Sequence, residues 1–497
     1  MKLETLIARA GLNVAGGEGV AVTGFAIDHR KVAPGTVFGA FRGTKFNAED
    51  FIPAAIEAGA VAVVASPEAS VEGALHIASA APRRTFAQLA AGFFTPVPET
   101  VVAVTGTNGK TSTAEMTRQI WRMCGERAAS IGTLGVTTPD GSISTGLTTP
   151  DIVTFMNNMS GLAREGVTHV AYEASSHGLS QFRNEGLRVK AGAFTNFSRD
   201  HLDYHETMEE YFAAKMRLFD EVVEDGGDAI IWNGGEECEW ARRAIEHAKA
   251  RGLRVLTVGE RGDFLRLAAR DATQLGQTLT VEFEGSTRTV KLPLIGAYQA
   301  ANALVSAGLA LSTGMEPSQV FDAIGRLQPV RGRLERALIT ADGAPVYIDY
   351  AHTPDALEAA IIALRPHTKG RIVTVFGAGG DRDKGKRAKM GEVASRLSDW
   401  IIVTDDNPRG EDPAVIRQEI IAGAGDNVTE IGDRREAIAH AIEYATEDTI
   451  VLIAGKGHEE GQIIGSGENM RVLPFNDVTV AHEESGRLVK ESWGPIT

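Results

Sequence analysis

The chain contains a segment with the residue types and spacing of a phosphate-binding loop. A short apolar run leads into a turn between two glycines, which is followed by a lysine and a threonine. Glycines let backbone amides point at one anion, the next helix adds its positive end, and a threonine hydroxyl can ligate Mg²⁺. The usual P-loop has a glycine where this chain has Val104. We predict a triphosphate site on a variant of that loop, formed by Gly106, Thr107, Asn108, Gly109, Lys110, Thr111 and Ser112.

Two further polar clusters follow apolar, strand-like runs. Glu173 comes directly after the run 169–172, and His201 belongs to the polar segment 195–205 that follows a second run. Carboxylate and imidazole groups at adjacent strand ends suit a divalent cation that bridges ATP phosphates. We therefore expect Glu173 and His201 to form a metal–phosphate centre together with the glycine-rich loop.

Composition limits the class of protein. At 497 residues, the chain is long enough for about three domains, and 43% hydrophobic with 23% charged residues is typical of a soluble globular protein. A net charge of −15 argues against general binding to nucleic acid or to anionic membranes. Cys124 and Cys238 are too few for a disulfide framework, and residues 1–9 do not resemble an export signal. We expect a cytoplasmic protein.

The apolar pattern predicts an α/β fold with three domains, at residues 1–98, 99–332 and 333–497. Short apolar runs alternate with glycine and proline turns in the first domain, and strands alternate with helices in the other two. Residues 263–292 read as alternating, antiparallel strands, and the apolar segment 294–311 contains enough polar residues to be a buried helix and not a membrane span. The first domain contains the short apolar runs 20–22 and 61–65, and the runs expected to form strands in the other two are 169–172, 191–194, 229–232, 254–258, 346–348, 371–376, 400–403 and 450–453.

Ten motifs, in order along nearly the whole chain, resemble those of the Mur ligase family. They are the loop 106–112 and the segments 148–150, 173–179, 196–205, 211–215, 331–333, 349–355, 377–387, 406–409 and 455–459. The family has its own version of the P-loop, which accounts for Val104. The resemblance implies a small N-terminal α/β uridine-binding domain, a central P-loop-type parallel-sheet ATPase domain and a C-terminal Rossmann-like α/β domain.

The resemblance also implies a reaction in the cytoplasmic stage of peptidoglycan synthesis. ATP phosphorylates the D-glutamyl carboxylate of UDP-N-acetylmuramoyl-L-alanyl-D-glutamate, and the amine of an incoming amino acid then displaces phosphate. The implied catalytic residues are Lys110, Glu173, His201 and Lys215. Mg²⁺ would be held by Thr111, Glu173, His201 and Lys215, the last as a carbamate, because the matching lysine of similar enzymes carries that modification.

Binding residues are implied by position in the same motifs. The UDP-linked substrate would contact Ile27, His29, Thr44, Lys45, Phe46, Thr148, Thr149, Ser175, Gln181 and Arg183. Besides the glycine-rich loop, ATP would contact Asn302, Arg333, Asp349 and His352, where the C-terminal domain of similar enzymes closes over the nucleotide.

The amino acid is implied by the tetrapeptide 406–409. Relatives with this tetrapeptide use meso-2,6-diaminopimelate, whose distal end the matching residues grip. Arg382 and Arg409 can clamp a distal carboxylate, and Glu459 can accept from a distal ammonium. Lysine lacks that carboxylate and would leave Arg409 unpaired. The full implied set is Arg382, Asp406, Asn407, Pro408, Arg409, Gly455 and Glu459.

Other functions remain open from the sequence. A sister ligase could add L-lysine or a dipeptide, and a folate polyglutamylating enzyme shares the same core motifs; the tetrapeptide 406–409 argues against each. A nucleotide-dependent binding or regulatory protein with an inactive site is the alternative from another class. The joint presence of Lys110, Glu173, His201 and Lys215 argues against that alternative. We expect a monomer.

Overall fold

The computed structural model describes residues 1–43, 46–143, 148–200, 204–234 and 239–493. The chain divides into two compact units. The first contains Met1–Leu267, Phe283–Gly285 and Asn302–Ala323, and the second contains Ala268–Glu282, Ser286–Ala301 and Ile324–Thr497. The first unit thus includes both the predicted N-terminal domain and most of the predicted central domain. The domain boundaries near residues 98 and 332 remain predictions.

The α-helices of the described ranges are distributed along the whole chain. They are α1 (Leu3–Arg9), α2 (Ile52–Glu57), α3 (Pro82–Phe93), α4 (Lys110–Met123), α5 (Ile152–Arg164), α6 (Ser176–Ser180), α7 (Met208–Arg217), α8 (Glu239–Ala250), α9 (Ala297–Ser312), α10 (Pro317–Ile324), α11 (Pro354–Leu364), α12 (Gly385–Leu397), α13 (Pro413–Ile421), α14 (Arg434–Glu443) and α15 (Asp477–Trp493). The predicted buried helix at 294–311 is confirmed as α9. None of the described helices has the length and apolar character needed to cross a membrane.

The β-strands alternate with these helices. They are β1 (Gly24–Ala26), β2 (Thr36–Gly39), β3 (Ala60–Ala65), β4 (Leu75–Ala78), β5 (Thr100–Thr105), β6 (Ala128–Gly132), β7 (Gly135–Thr137), β8 (Ser142–Ile143), β9 (His169–Glu173), β10 (Val189–Phe194), β11 (Val223–Trp232), β12 (Arg254–Gly259), β13 (Leu265–Thr273), β14 (Gly276–Phe283), β15 (Ser286–Leu292), β16 (Glu335–Ile339), β17 (Pro345–Asp349), β18 (Ile372–Phe376), β19 (Trp400–Val403), β20 (Val428–Glu430), β21 (Ile450–Ala454), β22 (Gly461–Ile464) and β23 (Arg471–Pro474).

A small parallel sheet begins the chain, with strand order β1-β2-β3-β4. The run 61–65 lies in β3 as predicted, and its Val and Ala side chains are mostly buried. The run 20–22 does not pair in this sheet. The Val22 amide instead donates to the Met1 carbonyl at 2.7 Å, and Lys2 forms an isolated bridge with Ala21. A three-residue apolar run is too short to indicate which segment will pair with it.

The larger sheet of the first unit has the order β12-β11-β10-β5-β9-β6-β7-β8. Strand β5, which leads into the glycine-rich loop, pairs in parallel with β10 on one side and β9 on the other. We predicted that the strand ends that bear Glu173 and the segment from residue 195 adjoin each other. They instead flank β5, and the second strand end is followed by the described residues 195–200. Parallel strands place their carboxyl ends at one edge, so both polar segments border the loop.

Close packing joins α3 to the central part of the first unit. Arg84 on α3 donates to Glu185 at 2.9 Å, and Arg217 on α7 lies 3.6 Å from the same carboxylate. A Cβ atom at Gly186 would lie 2.7 Å from the Cβ of Ala91, so the backbone of this turn rests directly on α3. The N-terminal sheet is thus fixed to the helix that bears Lys215.

The second unit contains a six-stranded sheet in the order β16-β17-β21-β18-β19-β20. All its pairs are parallel except β16 with β17. Apolar side chains from α11, α12 and α13 cover one face, and those from α14 and α15 cover the other. This arrangement confirms the predicted Rossmann-like layers. Strands β13, β14 and β15 fill the region 263–292 that we predicted to be strands, and they neighbour one another in chain order.

A buried ion pair joins the last two helices of this unit. Arg434 at the start of α14 donates to both carboxylate oxygens of Asp477 at 2.8 Å, and neither side chain is exposed. Arg434 also donates to the Ala454 carbonyl at the end of β21, at 3.0 Å. The pair therefore connects α14, α15 and the central strand of the sheet.

We predict that Arg434→Met destabilises the second unit by about 3–5 kcal/mol, because it leaves the carboxylate of Asp477 buried without a cation. The neighbouring substitution Arg435→Ala is the matched control. Arg435 is 46% exposed and pairs with the exposed Glu483 and with Glu484, which keeps its hydrogen bond from Arg487, so the loss of Arg435 should cost about 0–1 kcal/mol. Hydrogen exchange of the β21 amides measures both effects. Equal protection losses in the two variants would contradict the prediction.

Candidate active site

The glycine-rich loop has the backbone conformation that its sequence predicts. Strand β5 ends at Thr105, and α4 begins at Lys110. Gly106 and Gly109 have positive φ angles of 143° and 85°. A Cβ atom at Gly106 would clash with the Thr195 hydroxyl, and one at Gly109 would clash with the Asn302 side chain. Both positions therefore require glycine for conformation and for close packing.

The segment after β10 holds this loop. Asn196 accepts from the Thr107 amide at 2.9 Å through its carbonyl, and from the Asn108 amide at 2.8 Å through its side chain. The Thr195 hydroxyl donates to the Asn108 carbonyl at 2.6 Å, and the Ser198 amide donates to the Thr107 hydroxyl at 3.0 Å. The loop is thus shaped by the protein itself. The loop leads into the first turn of α4, whose positive end favours an anion.

Two lysine ammonium groups meet at one backbone oxygen of the loop. Lys110 donates to the Gly106 carbonyl at 3.0 Å, and Lys215 on α7 donates to the same oxygen at 2.7 Å. Lys110 also donates to the Thr107 carbonyl at 2.7 Å. Lys215 is only 1% exposed, and its ammonium lies 4.3 Å from the centre of the Tyr211 ring. The ammonium of Lys110 provides a positive charge at this carbonyl, which favours a nearby anion.

Burial lowers the pKa of Lys215 well below its usual value, and the charge of Lys110 lowers it further. A larger fraction of the Lys215 amine is therefore neutral at a given pH. Only a neutral amine can add carbon dioxide to form a carbamate, so this environment suits the predicted modification. Carbamylation itself remains a prediction.

Glu173 lies at the carboxyl end of β9, beside the loop. It accepts from the Thr133 amide at 2.6 Å, and the Thr133 hydroxyl lies 3.0 Å from that of Thr148. Glu173 and Thr111 line one cavity of about 10 Å³, which is close to the smallest volume that can hold one water molecule. A carboxylate and a hydroxyl around a small cavity are oxygen donors of the kind that Mg²⁺ prefers.

The rest of the predicted metal set is less complete. His201 lies outside the described residues, so the structure gives no position for it. Within the described ranges, no group of three or more His, Cys, Asp and Glu side chains is arranged to hold a metal ion. The fit to Mg²⁺ therefore rests on Thr111 and Glu173, with Lys215 at the neighbouring loop carbonyl.

The residues predicted to contact the peptide part of the UDP-linked substrate form one hydrogen-bonded group with Glu173. The Thr149 hydroxyl donates to the Glu173 carbonyl at 2.8 Å and lies 3.0 Å from the Ser175 hydroxyl. Arg183 donates to the Thr149 carbonyl at 2.7 Å and to the Gln181 side chain at 2.8 Å. The structure thus brings Thr149, Ser175, Gln181 and Arg183 together beside the glutamate, and Thr148 joins them through Thr133.

The predicted uridine residues lie near a stack of aromatic rings in the N-terminal sheet region. His29 stacks on Phe51 with ring centres 4.3 Å apart, and Phe46 stacks on Phe51 at 4.9 Å. Phe46 is 56% exposed, and Ile27 is half-buried. Exposed aromatic rings provide a surface on which a nucleobase can stack. Thr44 and Lys45, also predicted here, lie outside the described residues.

Two residues near these groups were missed by the sequence-based prediction. Phe51 carries the aromatic stack, and Arg83 on α3 lies with its guanidinium 4.8 Å from the Phe41 ring. Burial lowers the pKa of Arg83, and the charge of Arg183 acts in the same direction. The signal in the sequence is the pair Arg83-Arg84 at a helix start, where the helix dipole disfavours cations. A cation at that end indicates another interaction that offsets the cost.

The predicted ATP residues fall at two places. Asn302 on α9 is buried against Gly109 of the loop, in the first unit. The other three lie around the end of β17, in the second unit. Asp349 accepts from the amides of Leu334 at 2.7 Å and Ala351 at 2.8 Å, and burial raises its pKa. Arg333 lies over the Tyr350 ring at 4.8 Å, and the His352 ring lies 2.8 Å from the Tyr350 carbonyl.

The predicted amino-acid site is brought together in the second unit, after β19 and β21. Asn407 donates to Glu459 at 2.9 Å, and a Cβ atom at Gly455 would lie 2.6 Å from the Asp406 carboxylate. A Cβ atom at Gly379 would lie 2.7 Å from Nη1 of Arg409 and 3.7 Å from Cγ of Arg382, so both arginines border that glycine. Pro408 connects Asn407 to Arg409, which has a positive φ of 49°.

Arg409 is held in this conformation by backbone contacts. Its Nη1 donates to the Gly380 carbonyl at 3.0 Å, and its amide donates to the Ile463 carbonyl of strand β22 at 3.0 Å. A positive φ is uncommon for a residue other than glycine and is often found where a side chain is aimed at a ligand. The arrangement places a guanidinium and the carboxylate of Glu459 in one cluster.

Three family models match successive parts of the chain. The Mur ligase family, catalytic domain, matches residues 21–92, the Mur ligase middle domain matches residues 104–310, and the Mur ligase glutamate ligase domain matches residues 332–457. These matches agree with the three-domain order predicted from the motifs.

Relatives of known name are similar over nearly the whole chain. A UDP-N-acetylmuramoyl-L-alanyl-D-glutamate--2,6-diaminopimelate ligase from Zymomonas mobilis is 58% identical over 93% of this chain and 94% of its own length. One from Bradyrhizobium diazoefficiens is 50% identical over 96% of this chain and 97% of its own. Solved structures give the same result for the fold. A ligase of the same name shares 31% identity with a TM-score of 0.74, covering 99% of this chain and all of its own.

More distant structures share only the fold. A MurF ligase from Thermotoga maritima, solved in complex with ADP, is 19% identical with a TM-score of 0.61, covering 95% of this chain and 99% of its own. From the three family models, the relatives at 50–58% identity and the shared fold, we conclude that the chain belongs to the Mur ligase family.

Proposed function

We propose that this protein is an ATP-dependent ligase that adds meso-2,6-diaminopimelate to UDP-N-acetylmuramoyl-L-alanyl-D-glutamate. The observation that carries the proposal is the convergence of Lys110 and Lys215 on the Gly106 carbonyl, beside Glu173. Relatives that share half or more of the sequence bear the name of this activity. A ligase of this kind requires a strong anion site next to the group that binds its carboxylate substrate.

The chemistry explains why the cations are needed. A carboxylate is a poor electrophile, and its attack on the γ-phosphate of ATP brings two anions together. Lys110 and the first turn of α4 can neutralise the transferred phosphoryl group. Mg²⁺, held by Thr111 and Glu173 and completed by His201 and carbamylated Lys215, would supply further shielding of the same charge.

The hydrogen-bonded group around Arg183 then has the task of orienting the substrate. Thr149 and Ser175 bond to one another and to the Glu173 segment, so a peptide held by them lies close to the phosphate loop. Orientation of this kind accounts for a large part of the rate of such reactions. We assign Asn302, Arg333, Asp349 and His352 to ATP binding on the strength of the motif resemblance.

The second substrate would be selected in the second unit. Arg409 and Arg382 can bind the distal carboxylate of diaminopimelate, and Glu459 can accept from its distal ammonium. A lysine-adding ligase would have no use for the two arginines. We further propose that the protein is a cytoplasmic monomer without nucleic-acid or membrane partners.

The proposal is tested by supplying ATP, Mg²⁺ and the UDP-linked dipeptide together with one amino acid at a time. We expect phosphate release and an equal amount of amide product with meso-diaminopimelate, and much less with L-lysine, D-alanyl-D-alanine or glutamate. Equal products with lysine would overturn the substrate assignment. Phosphate release without any amide product would overturn the ligase assignment.

We predict that Lys110→Ala abolishes phosphate release while the protein stays folded. The substitution removes the positive charge at the loop, and the loop is still held by Asn196 and Thr195. Circular dichroism and phosphate-release assays measure the two properties. Lys190→Ala, at an exposed position on β10, is the control and should retain full activity. Turnover in the Lys110 variant close to that of the control would disprove this role of the loop.

We predict that Lys215→Ala is nearly inactive and that small carboxylates such as acetate restore part of its activity. The variant lacks the amine that would carry the carbamate, and its shortened side chain leaves room for another anion. Activity of the natural protein should also fall when bicarbonate and carbon dioxide are removed. The activity of the Lys190→Ala control should fall by the same factor. Full activity of Lys215→Ala without any added carboxylate would contradict the assignment.

We predict that Arg409→Ala raises the KM for meso-diaminopimelate about 10- to 100-fold, since one charge-assisted bidentate contact is worth about 1.5–3 kcal/mol. The KM for ATP and the weak use of lysine should change little. Steady-state kinetics with both amino acids measure the effect, and Lys389→Ala at an exposed position of α12 is the control. An unchanged KM for diaminopimelate would lead us to withdraw the substrate assignment.

A further inference from the structure

A fully buried lysine lies beneath the proposed amino-acid site. Lys456 has no exposed surface, although a charged side chain is seldom buried completely unless it is paired. Its ammonium donates to the Asn407 side-chain oxygen and to the Gly461 carbonyl, each at 2.8 Å. It also lies 3.5 Å from the Glu459 carboxylate and 3.9 Å from that of Asp406. The ammonium thus lies among oxygen atoms of Asn407, Gly461, Glu459 and Asp406.

Lys456 determines which way the Asn407 amide faces. An ammonium group can only donate hydrogen bonds, so the Asn407 atom that meets it must be the oxygen. The same oxygen accepts from the Ile463 amide at 2.9 Å. The nitrogen of the Asn407 side chain then points the other way and donates to Oε2 of Glu459 at 2.9 Å. The ammonium of Lys456 thus fixes the direction in which the side-chain nitrogen of Asn407 donates.

The orientation of Asn407 in turn positions Glu459. Both the Asn407 amide and the Lys456 ammonium lie next to Oε2 of Glu459, and the side chain of Glu459 is 33% exposed. A ligand can therefore approach this carboxylate from its exposed side. A carboxylate held in this way can accept a charge-assisted hydrogen bond from an approaching ammonium group.

We propose that Lys456 is a positioning residue for amino-acid specificity, which orients Asn407 and, through it, Glu459, so that the Glu459 carboxylate accepts the distal ammonium of the substrate. The inference rests on the proposed function, because it takes meso-diaminopimelate as the amino acid. Lys456 contacts Asn407 and Glu459, which select the substrate, and does not contact the substrate itself.

The burial of the Lys456 ammonium agrees with its role as a positioning residue. Removal of the ammonium from water lowers the pKa of Lys456, and the carboxylates of Asp406 and Glu459 oppose that shift. If the side chain at this position only filled the core, Met or Leu would be more favourable than Lys, because burying them carries no desolvation cost. The charge is therefore expected to have a role that a methionine of similar length cannot replace.

The test compares meso-diaminopimelate with 2-aminopimelate, which has the same chain and distal carboxylate but lacks the distal amine. Steady-state kinetics are measured for the natural protein, for Lys456→Met and for the exposed control Lys389→Met. We expect the natural protein and the control to prefer meso-diaminopimelate clearly. In Lys456→Met this preference should fall about 10- to 100-fold, through a higher KM for diaminopimelate, with kcat and the KM for ATP within about 2-fold.

The outcomes separate this inference from the proposed function. If Lys456→Met keeps the preference, or raises the KM for both amino acids equally, Lys456 has only a structural role and the inference is wrong. If the natural protein shows no preference for diaminopimelate over 2-aminopimelate, the distal amine is not recognised and the inference is wrong, whereas the proposed function is decided separately by the comparison with L-lysine.

A second variant keeps the test valid if Lys456→Met does not fold. Asn407→Asp retains an oxygen for the ammonium of Lys456 but replaces the amide donor with an oxygen that repels Glu459. We expect the same loss of preference, again through the KM for diaminopimelate. A preference equal to that of the natural protein in Asn407→Asp would overturn the inference.

Discussion

The candidate site of the first unit depends on the meeting of Lys110 and Lys215 at one carbonyl oxygen. Lys110 begins α4, so its ammonium adds to the positive end of that helix, and Lys215 lies on α7 with its amine buried beside the same oxygen. The site is therefore prepared for an anion before any ligand arrives. Thr195 and Asn196 hold the loop in this state, and the flanking strands β9 and β10 bring Glu173 and the loop-holding segment to its two sides. Preorganised charge of this kind stabilises a transferred phosphoryl group without reorganisation during the reaction.

The second unit uses buried cations for another purpose. Arg434 holds the ends of α14, α15 and β21 together, and Lys456 orients the side chains of the proposed amino-acid site. Both cations are paired with carboxylates, so each can orient the side chains around it at a limited cost in stability. Charge in the first unit attracts a ligand, whereas charge in the second unit positions the groups that select one.

Features that lie within one short segment could be predicted from the sequence. The conformation of the glycine-rich loop and the position of Glu173 at a strand end follow from residue type and spacing, because local geometry decides them, whereas the role of the tetrapeptide 406–409 was implied by the family resemblance. Contacts between distant segments could not be predicted. The stack on Phe51, the approach of Arg83 to Arg183 and the contact of Lys456 with Asn407 depend on how separate strands and helices pack. Strand order could not be predicted either, because an apolar run does not indicate which other segment it pairs with. Strands β9 and β10 flank β5, and the run 20–22 pairs outside the first sheet.

The central claim is that the loop around Gly106 activates a substrate carboxylate by phosphoryl transfer. The most direct test uses the UDP-linked dipeptide labelled with ¹⁸O in its D-glutamyl carboxylate, and follows the released phosphate by mass spectrometry. Transfer through an acyl phosphate leaves one carboxylate oxygen on the phosphate, so each phosphate released with amide formation should carry one ¹⁸O atom. Phosphate without the label would show that water attacks ATP directly, and it would contradict the account.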